Sequence, residues 1–247
     1  MSTITGHTGL TALLGSPVAH SISPLMHNEA FRLLELDYVY LCFDVNEETL
    51  PAAVAGLRTC GIRGFNLTMP NKNKIVELLD ELSPEAQLIG AVNTVLNDNG
   101  KLIGYNTDGY GFMQSVRDAG YDVTNKNITV MGVGGASMAI CAQSALDGAS
   151  SVHIFARRTS RYWNRTQKFA ENLTAKTGCQ VCLFDNDDHT ALKDSIAQSY
   201  LLINATSVGM VPDIDDTIIK DTSLFRLGLV VADVVYEPQE TRLLREA

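Results

Sequence analysis

The stretch NITVMGVGGASMAICAQSALDG, residues 127–148, constrains the fold more than any other part of the chain. It reads as an apolar strand that runs into glycines and then into a helix of small residues closed by Gly148. A strand delivered in this way into a helix buries its two faces only as part of a parallel α/β sheet. Gly132 and Gly134 allow the tight turn and the close approach of a pyrophosphate, whose charge then sits at the helix N-terminus. The third position of the fingerprint holds Ser137, which is small but is not glycine. The strand before the turn, the helix after it and the next strand, SVHIFARR, make this a dinucleotide-binding unit rather than a plain strand–helix turn.

The rest of the chain follows the same alternation. LTALLG, YVYLCFDV, GFNLTM and AVNTVLN read as strands, and AVNTVLN turns back through Asp98-Asn99-Gly100. PLMHNEAFRLLEL, LPAAVAGLRTC, KIVELLDEL and GYGFMQSVRDAG read as helices. Beyond the polar stretch YDVTNKN come the glycine turn, QVCLF, LLINATSVG and LVVADVVY. Alternation of this density predicts parallel sheets with helices on both faces, in two α/β domains joined near residues 109–125.

The net charge of −9 argues against nucleic acid or an anionic membrane as partner. No apolar run reaches membrane-spanning length, and MSTITGHTG has neither the basic nor the apolar region of a secretory signal. Five scattered cysteines fit reduced thiols in a cytoplasm. Cys179 and Cys182 have CxxC spacing, but on a strand they point to opposite faces and read as small buried groups, so no metal site is expected.

The strand end after the glycine turn bears on the choice of cofactor. An NAD site usually has Asp or Glu there to hold the ribose 2′-hydroxyl. This chain has Ala156, Arg157, Arg158, Thr159 and Ser160, two guanidiniums and two hydroxyls that suit a 2′-phosphate. NADP is the expected cofactor.

GSPVAHSISPLMHN, GFNLTMPNK, IGAVNTV, GYNTDGYG, GVGGAS, NATSVGM and DVVYEPQET occur in that order over nearly the whole chain. Together they closely resemble the shikimate dehydrogenase family, including its quinate/shikimate branch. The resemblance implies an N-terminal α/β substrate domain, residues 1–110, and a C-terminal Rossmann domain for NADP, residues 111–247. It implies reversible NADP-dependent reduction of 3-dehydroshikimate to shikimate, by a cytoplasmic monomer or homodimer. The alternatives are a quinate/shikimate dehydrogenase using NAD or NADP, and a non-catalytic metabolite sensor. Intact Lys72 and Asp108 argue against the sensor.

The resemblance also assigns residues. Ser21 and Ser23 match the motif that holds the substrate carboxylate. Thr68, Lys72, Asn93 and Asp108 match residues around the ring hydroxyls, and Tyr236 matches a tyrosine that reaches substrate. Gly132, Gly134, Gly135, Ala136, Ser137, Arg157, Arg158 and Thr159 fall on the cofactor side, as do Thr206 and Met210 in the loop from Asn204. Residue chemistry agrees: a substrate with one carboxylate and several hydroxyls needs short polar donors, and oxidising an alcohol needs a general base. Lys72 with Asp108 is expected to fill that role, once burial and the neighbouring charge tune the lysine.

Taken singly, these residues have blander readings. Lys72 would pass for a surface charge, as Lys74 does; Asp108 and Ser23 would read as helix caps, and His20 and His27 as structural. The chain departs from the family at Ala156, where asparagine is common, and it lacks an aspartate near Thr159 that supports NAD use. In the family a further segment follows, ending Gly-x-x-Met-Leu-x-x-Gln-Gly, with a glutamine on the substrate. ETRLLREA reads as a helical run with no stop signal, and the expectation is that those C-terminal helices are missing.

Overall fold

A computed structural model describes residues 4–247. The chain divides into two compact units, one ending at Thr107 and the other running from Asp108 to Ala247.

The first unit contains β1 (Gly9–Gly15), α1 (Ser23–Leu33), β2 (Tyr38–Asp44), α2 (Leu50–Thr59) and β3 (Gly64–Leu67). A 3-10 turn (Lys74–Leu78), β4 (Glu81–Leu82), α3 (Pro84–Ile89), β5 (Thr94–Asp98) and β6 (Lys101–Tyr105) follow. Its six strands are ordered β2-β1-β3-β5-β6-β4. The sheet is not all parallel: β5 runs antiparallel to both β3 and β6, because Asn99-Gly100 closes a hairpin and both residues take positive φ.

The stretch KIVELLDEL does not form the expected helix. The 3-10 turn stops at Leu78, and Leu79 is already extended. Asp80 makes the difference, because its carboxylate accepts the Leu102 N–H at 2.7 Å and its own N–H donates to the Leu102 carbonyl at 3.0 Å. Those ladder bonds to β6 outcompete helix propagation. The helix forms later as α3, where the Ser83 hydroxyl accepts the Ala86 N–H beside Pro84.

One sheet face packs Ala12, Leu14, Phe65, Leu67 and Val95 against Leu50, Val54, Ile62 and Ile75. Strand alternation then turns Leu13, Tyr40, Asn66 and Thr94 to the other face. The edge strand β2 is guarded by α1, since the Asn28 amide donates to the Tyr40 carbonyl and accepts the Tyr40 N–H, both at 2.9 Å.

The second unit contains α4 (Asp108–Asp118), β7 (Asn127–Met131), α5 (Gly135–Leu146), β8 (Ser151–Ala156), α6 (Trp163–Thr177) and β9 (Gln180–Asp185). It continues with α7 (His189–Gln198), β10 (Leu201–Asn204), β11 (Val230–Asp233) and α8 (Arg242–Glu246). Its strands are ordered β11-β10-β7-β8-β9, and every pairing is parallel. This is the doubly wound order, whose direction reverses between β7 and β10, the place where such sheets bind ligands. The inner strands β7, β8 and β10 are buried on both faces, with Ile128, Val130, Ile154, Leu201 and Leu202 fully covered, while the edge strands β9 and β11 are only partly covered. Cys182 lies on β9, but Cys179 is buried just before the strand begins, so the two do not share it as the sequence implied.

Candidate active site

In the first unit the polar residues gather where β1 and β3 end and the antiparallel β5 begins. Beyond Leu67 the chain turns sharply and the turn is pinned: Thr68 N–H donates to Leu14 O at 3.0 Å and Asn71 N–H to Thr68 O at 2.9 Å. The buried Asn71 amide donates to Val45 O at 2.7 Å. Thr68 lies directly over Gly15, where a Cβ would fall 2.2 Å from Thr68 Cγ2. Half-buried Lys72 follows at once, and its carbonyl accepts the Val92 N–H at 2.8 Å. The lysine therefore stands on a rigid turn rather than at a frayed helix start. Lys74 instead pairs with Glu77 at 2.7 Å on the surface.

Asn93 precedes β5. Its Oδ1 accepts the Thr107 N–H at 2.9 Å and the Thr94 hydroxyl at 3.1 Å, while its Nδ2 donates to Thr107 Oγ1 at 3.0 Å. Asn66 donates to Thr94 Oγ1 at 3.0 Å and accepts the Tyr40 hydroxyl at 2.8 Å. Burial first, and Cys42 second, push the Tyr40 phenol up, while a hydrogen bond with Ser23 acts the other way. Ser23, Tyr40, Asn66, Thr94, Asn93 and Thr107 thus form one polar chain across the sheet face opposite the core. Ser23 is the first residue of α1 rather than its cap; its N–H donates to Ser21 Oγ at 3.2 Å. His27 stacks on Tyr40 with centroids 4.2 Å apart, a packing role.

Tyr40, Asn66, Thr94 and Thr107 were not among the expected site residues. The signal for two of them was present, because Asn66 and Thr94 alternate with the buried Phe65, Leu67 and Val95.

In the second unit Asp108 is the first residue of α4. The glycine turn lies between β7 and α5. Gly132 has φ +113°, and a Cβ there would fall 2.8 Å from the Ala205 carbonyl, so only glycine fits. Gly134 and Gly135 have open space where a Cβ would be, and no side chain caps the start of α5. Half-buried Ala136 follows. Ser137 is fully buried and its hydroxyl donates to the Gly132 carbonyl at 2.6 Å, which explains serine at the third position. Uncapped helix amides facing open space fit a pyrophosphate.

Arg157, Arg158 and Thr159 are exposed on the turn after β8. The structure adds a carboxylate that the local sequence lacks: Asp185, at the end of β9, accepts the Arg158 N–H at 3.4 Å. The loop from Asn204 is tied down too. Asn204 Oδ1 accepts the Thr206 N–H and hydroxyl at 3.1 and 2.7 Å, and its amide donates to Asp233 at 3.0 Å. Asp233 in turn accepts the Thr241 hydroxyl at 2.8 Å. Met210 is 44% exposed and Tyr236 is 72% exposed. Among the described residues, no cluster of His, Cys, Asp and Glu is placed to hold a metal ion, and no helix is long and apolar enough to cross a membrane.

Residues 13–95 match the family model of the shikimate dehydrogenase substrate binding domain. The chain is 49% identical over 244 residues to a shikimate dehydrogenase (NADP(+)) of Listeria innocua, covering 99% of this chain and 84% of that protein. It is 51% identical over 243 residues to a Streptococcus pyogenes protein of the same name, covering 98% and 83%. The crystal structure of shikimate 5-dehydrogenase from Listeria monocytogenes, in complex with shikimate and NAD, superimposes with a TM-score of 0.97 at 47% identity, covering 100% of this chain and 85% of that one. The pinned lysine turn, the glycine cradle and likeness along nearly the whole length agree: this chain belongs to the shikimate dehydrogenase family.

Proposed function

We propose that the chain reduces 3-dehydroshikimate to shikimate reversibly with NADP, the unit ending at Thr107 receiving substrate and the unit from Asp108 receiving cofactor. NADP supplies the hydride carrier. The chain's own residues bind, orient and move the proton. Ser21 and Ser23 hold the substrate carboxylate, while Thr68 and Asn93 hold ring hydroxyls. Lys72 gives a proton to the ketone oxygen during reduction and takes it back from the alcohol during oxidation, with Asp108 as its partner. Tyr236 reaches the substrate as well.

On the cofactor side, Gly132, Gly134, Gly135, Ala136 and Ser137 cradle the pyrophosphate. Arg157, Arg158 and Thr159 take the 2′-phosphate, and Thr206 and Met210 lie along the cofactor. The enzyme acts in the cytoplasm, a setting that suits its five unpaired cysteines.

One observation carries the reading: Lys72 stands on a turn fixed by backbone bonds to β1 and to the segment before β5, between two residues suited to bind hydroxyls. The test is NADPH formation with shikimate, with quinate in its place, and with NAD replacing NADP. Turnover should be fastest with shikimate and NADP. Faster turnover of quinate would move the chain to the quinate branch, and no turnover of either would remove the catalytic assignment.

A further inference from the structure

Three arginines crowd the turn after β8, and they are held differently. Arg161 stacks on Tyr162, 4.7 Å from the ring centroid, and spends one edge donor on the Tyr162 hydroxyl at 2.6 Å. Arg158 is anchored twice over. Its guanidinium lies 4.8 Å from the centroid of Trp163, the first residue of α6, and its backbone N–H is bonded to Asp185. Asp185 sits opposite Ala156 in the β8–β9 register and also accepts the Asp187 N–H at 3.2 Å, so that oxygen is turned toward backbone amides.

A stacked guanidinium uses its face, while its N–H donors lie in the ring plane and point outward from the edge. Stacking thus restrains a long, flexible side chain without consuming the donors that recognise phosphate. Arg157, one residue earlier, is exposed on the same turn.

We propose that Trp163 is a positioning residue for cofactor selectivity: it holds Arg158 as the pre-ordered arm that reads the 2′-phosphate of NADP. This rests on the NADP reading above and deepens it. Trp163 itself need not touch the cofactor. Its contribution is to raise affinity for the 2′-phosphorylated form alone.

The test is calorimetric binding of 2′,5′-ADP and of 5′-ADP to the whole chain, which needs no turnover. The parent chain should prefer 2′,5′-ADP. Trp163→Ala should weaken 2′,5′-ADP about three- to fivefold, as expected for a stack of this kind, and leave 5′-ADP nearly unchanged. Trp163→Phe, which keeps a ring face and guards against a folding defect, should recover much of the loss. In an Arg158→Ala background, Trp163→Ala should have no further effect on 2′,5′-ADP.

Equal weakening of both nucleotides, or a loss that persists in the Arg158→Ala background, would overturn the positioning role. So would a gain in 2′,5′-ADP affinity, which would mean that the stack withdraws Arg158 from the phosphate. If the parent chain shows no preference for 2′,5′-ADP at all, the NADP reading fails, and the inference fails with it. A preference that survives Arg158→Ala leaves the NADP reading standing and removes only the inference.

Discussion

The two sheets of this chain are built from similar strands but used differently. In the unit from Asp108 the strands are all parallel and the inner ones are covered on both faces; Leu201, Leu202 and Ile203 are completely buried. A sheet of that kind offers chemistry only at its strand ends, and the glycine turn, the arginine turn and the Asn204 loop all follow strand C-termini. In the unit ending at Thr107 the sheet is mixed, and only one face carries the main core. Its second face supports a row of polar side chains, Tyr40, Asn66 and Thr94, that runs along the sheet to Asn93. On the proposed assignment, the site for a charged, elongated cofactor is assembled from backbone amides at strand ends. The proposed site for a small polyhydroxylated ring draws instead on side chains spread over a half-open face.

Substitutions can break this division of labour. The largest effect is expected at Lys72. Lys72→Ala should lower kcat by about two to four orders of magnitude, the usual worth of a general acid/base. NADP binding should be unchanged, because the cradle belongs to the other unit. Near-normal turnover would remove the lysine from the mechanism.

Next comes Gly132→Ala, which should do the converse. A Cβ at φ +113°, 2.8 Å from the Ala205 carbonyl, combines backbone strain with overpacking and should destabilise the second unit by about 2–5 kcal/mol. Calorimetric unfolding should show the loss together with weakened NADP binding. A variant with native stability would mean that the turn relaxes freely.

Asn93→Ala sharpens the comparison within the first unit. It removes the partner of the Thr107 N–H and hydroxyl and of the Thr94 hydroxyl. Loss of these hydrogen bonds, together with the proposed one to a ring hydroxyl, predicts a fall in kcat/KM for shikimate of about tenfold or more. NADP affinity should hold. A matching loss of NADP affinity would show that the polar row serves both ligands.

The smallest effect is a pH dependence shared by both units. Burial lowers the pKa of His27 in the first unit and of His153 in the second, where His153 also bonds Ser195 at 2.9 Å. The unfolded chain then binds protons that the folded chain resists, so stability rises with pH through this window. It should be fully present above the ordinary histidine value of 6.5 and decline as the pH falls below it. Melting temperatures at mildly acidic and neutral pH measure this, and His153→Gln should flatten the dependence for the second unit alone. An unchanged slope would assign the acid sensitivity to other groups.

Much of this was legible in the residues. The strand–glycine–helix passage at 127–148 announced the parallel sheet, because an apolar strand feeding a glycine turn has few other ways to bury both faces. The helix opened by Ser23-Pro24 and the one closed just before Gly148 followed from local backbone preference alone. The motifs of the resemblance supplied Lys72 and the serines, which patterning by itself would have left as surface charge and cap. Four decisions belonged to the tertiary structure. Asp80 stopped a helix because Leu102, distant in sequence, offered a ladder partner. The turn through Asn99-Gly100 was legible, but it was pairing with β3 that set its strand antiparallel in a sheet that alternation had marked as parallel. Asp185 came to the arginine turn across a strand pairing, and Trp163 came to Arg158 as α6 began. The physical reason is the same in each case: local sequence fixes what a segment prefers, while a hydrogen bond or ring stack from a distant strand or following turn decides where its polar groups are satisfied.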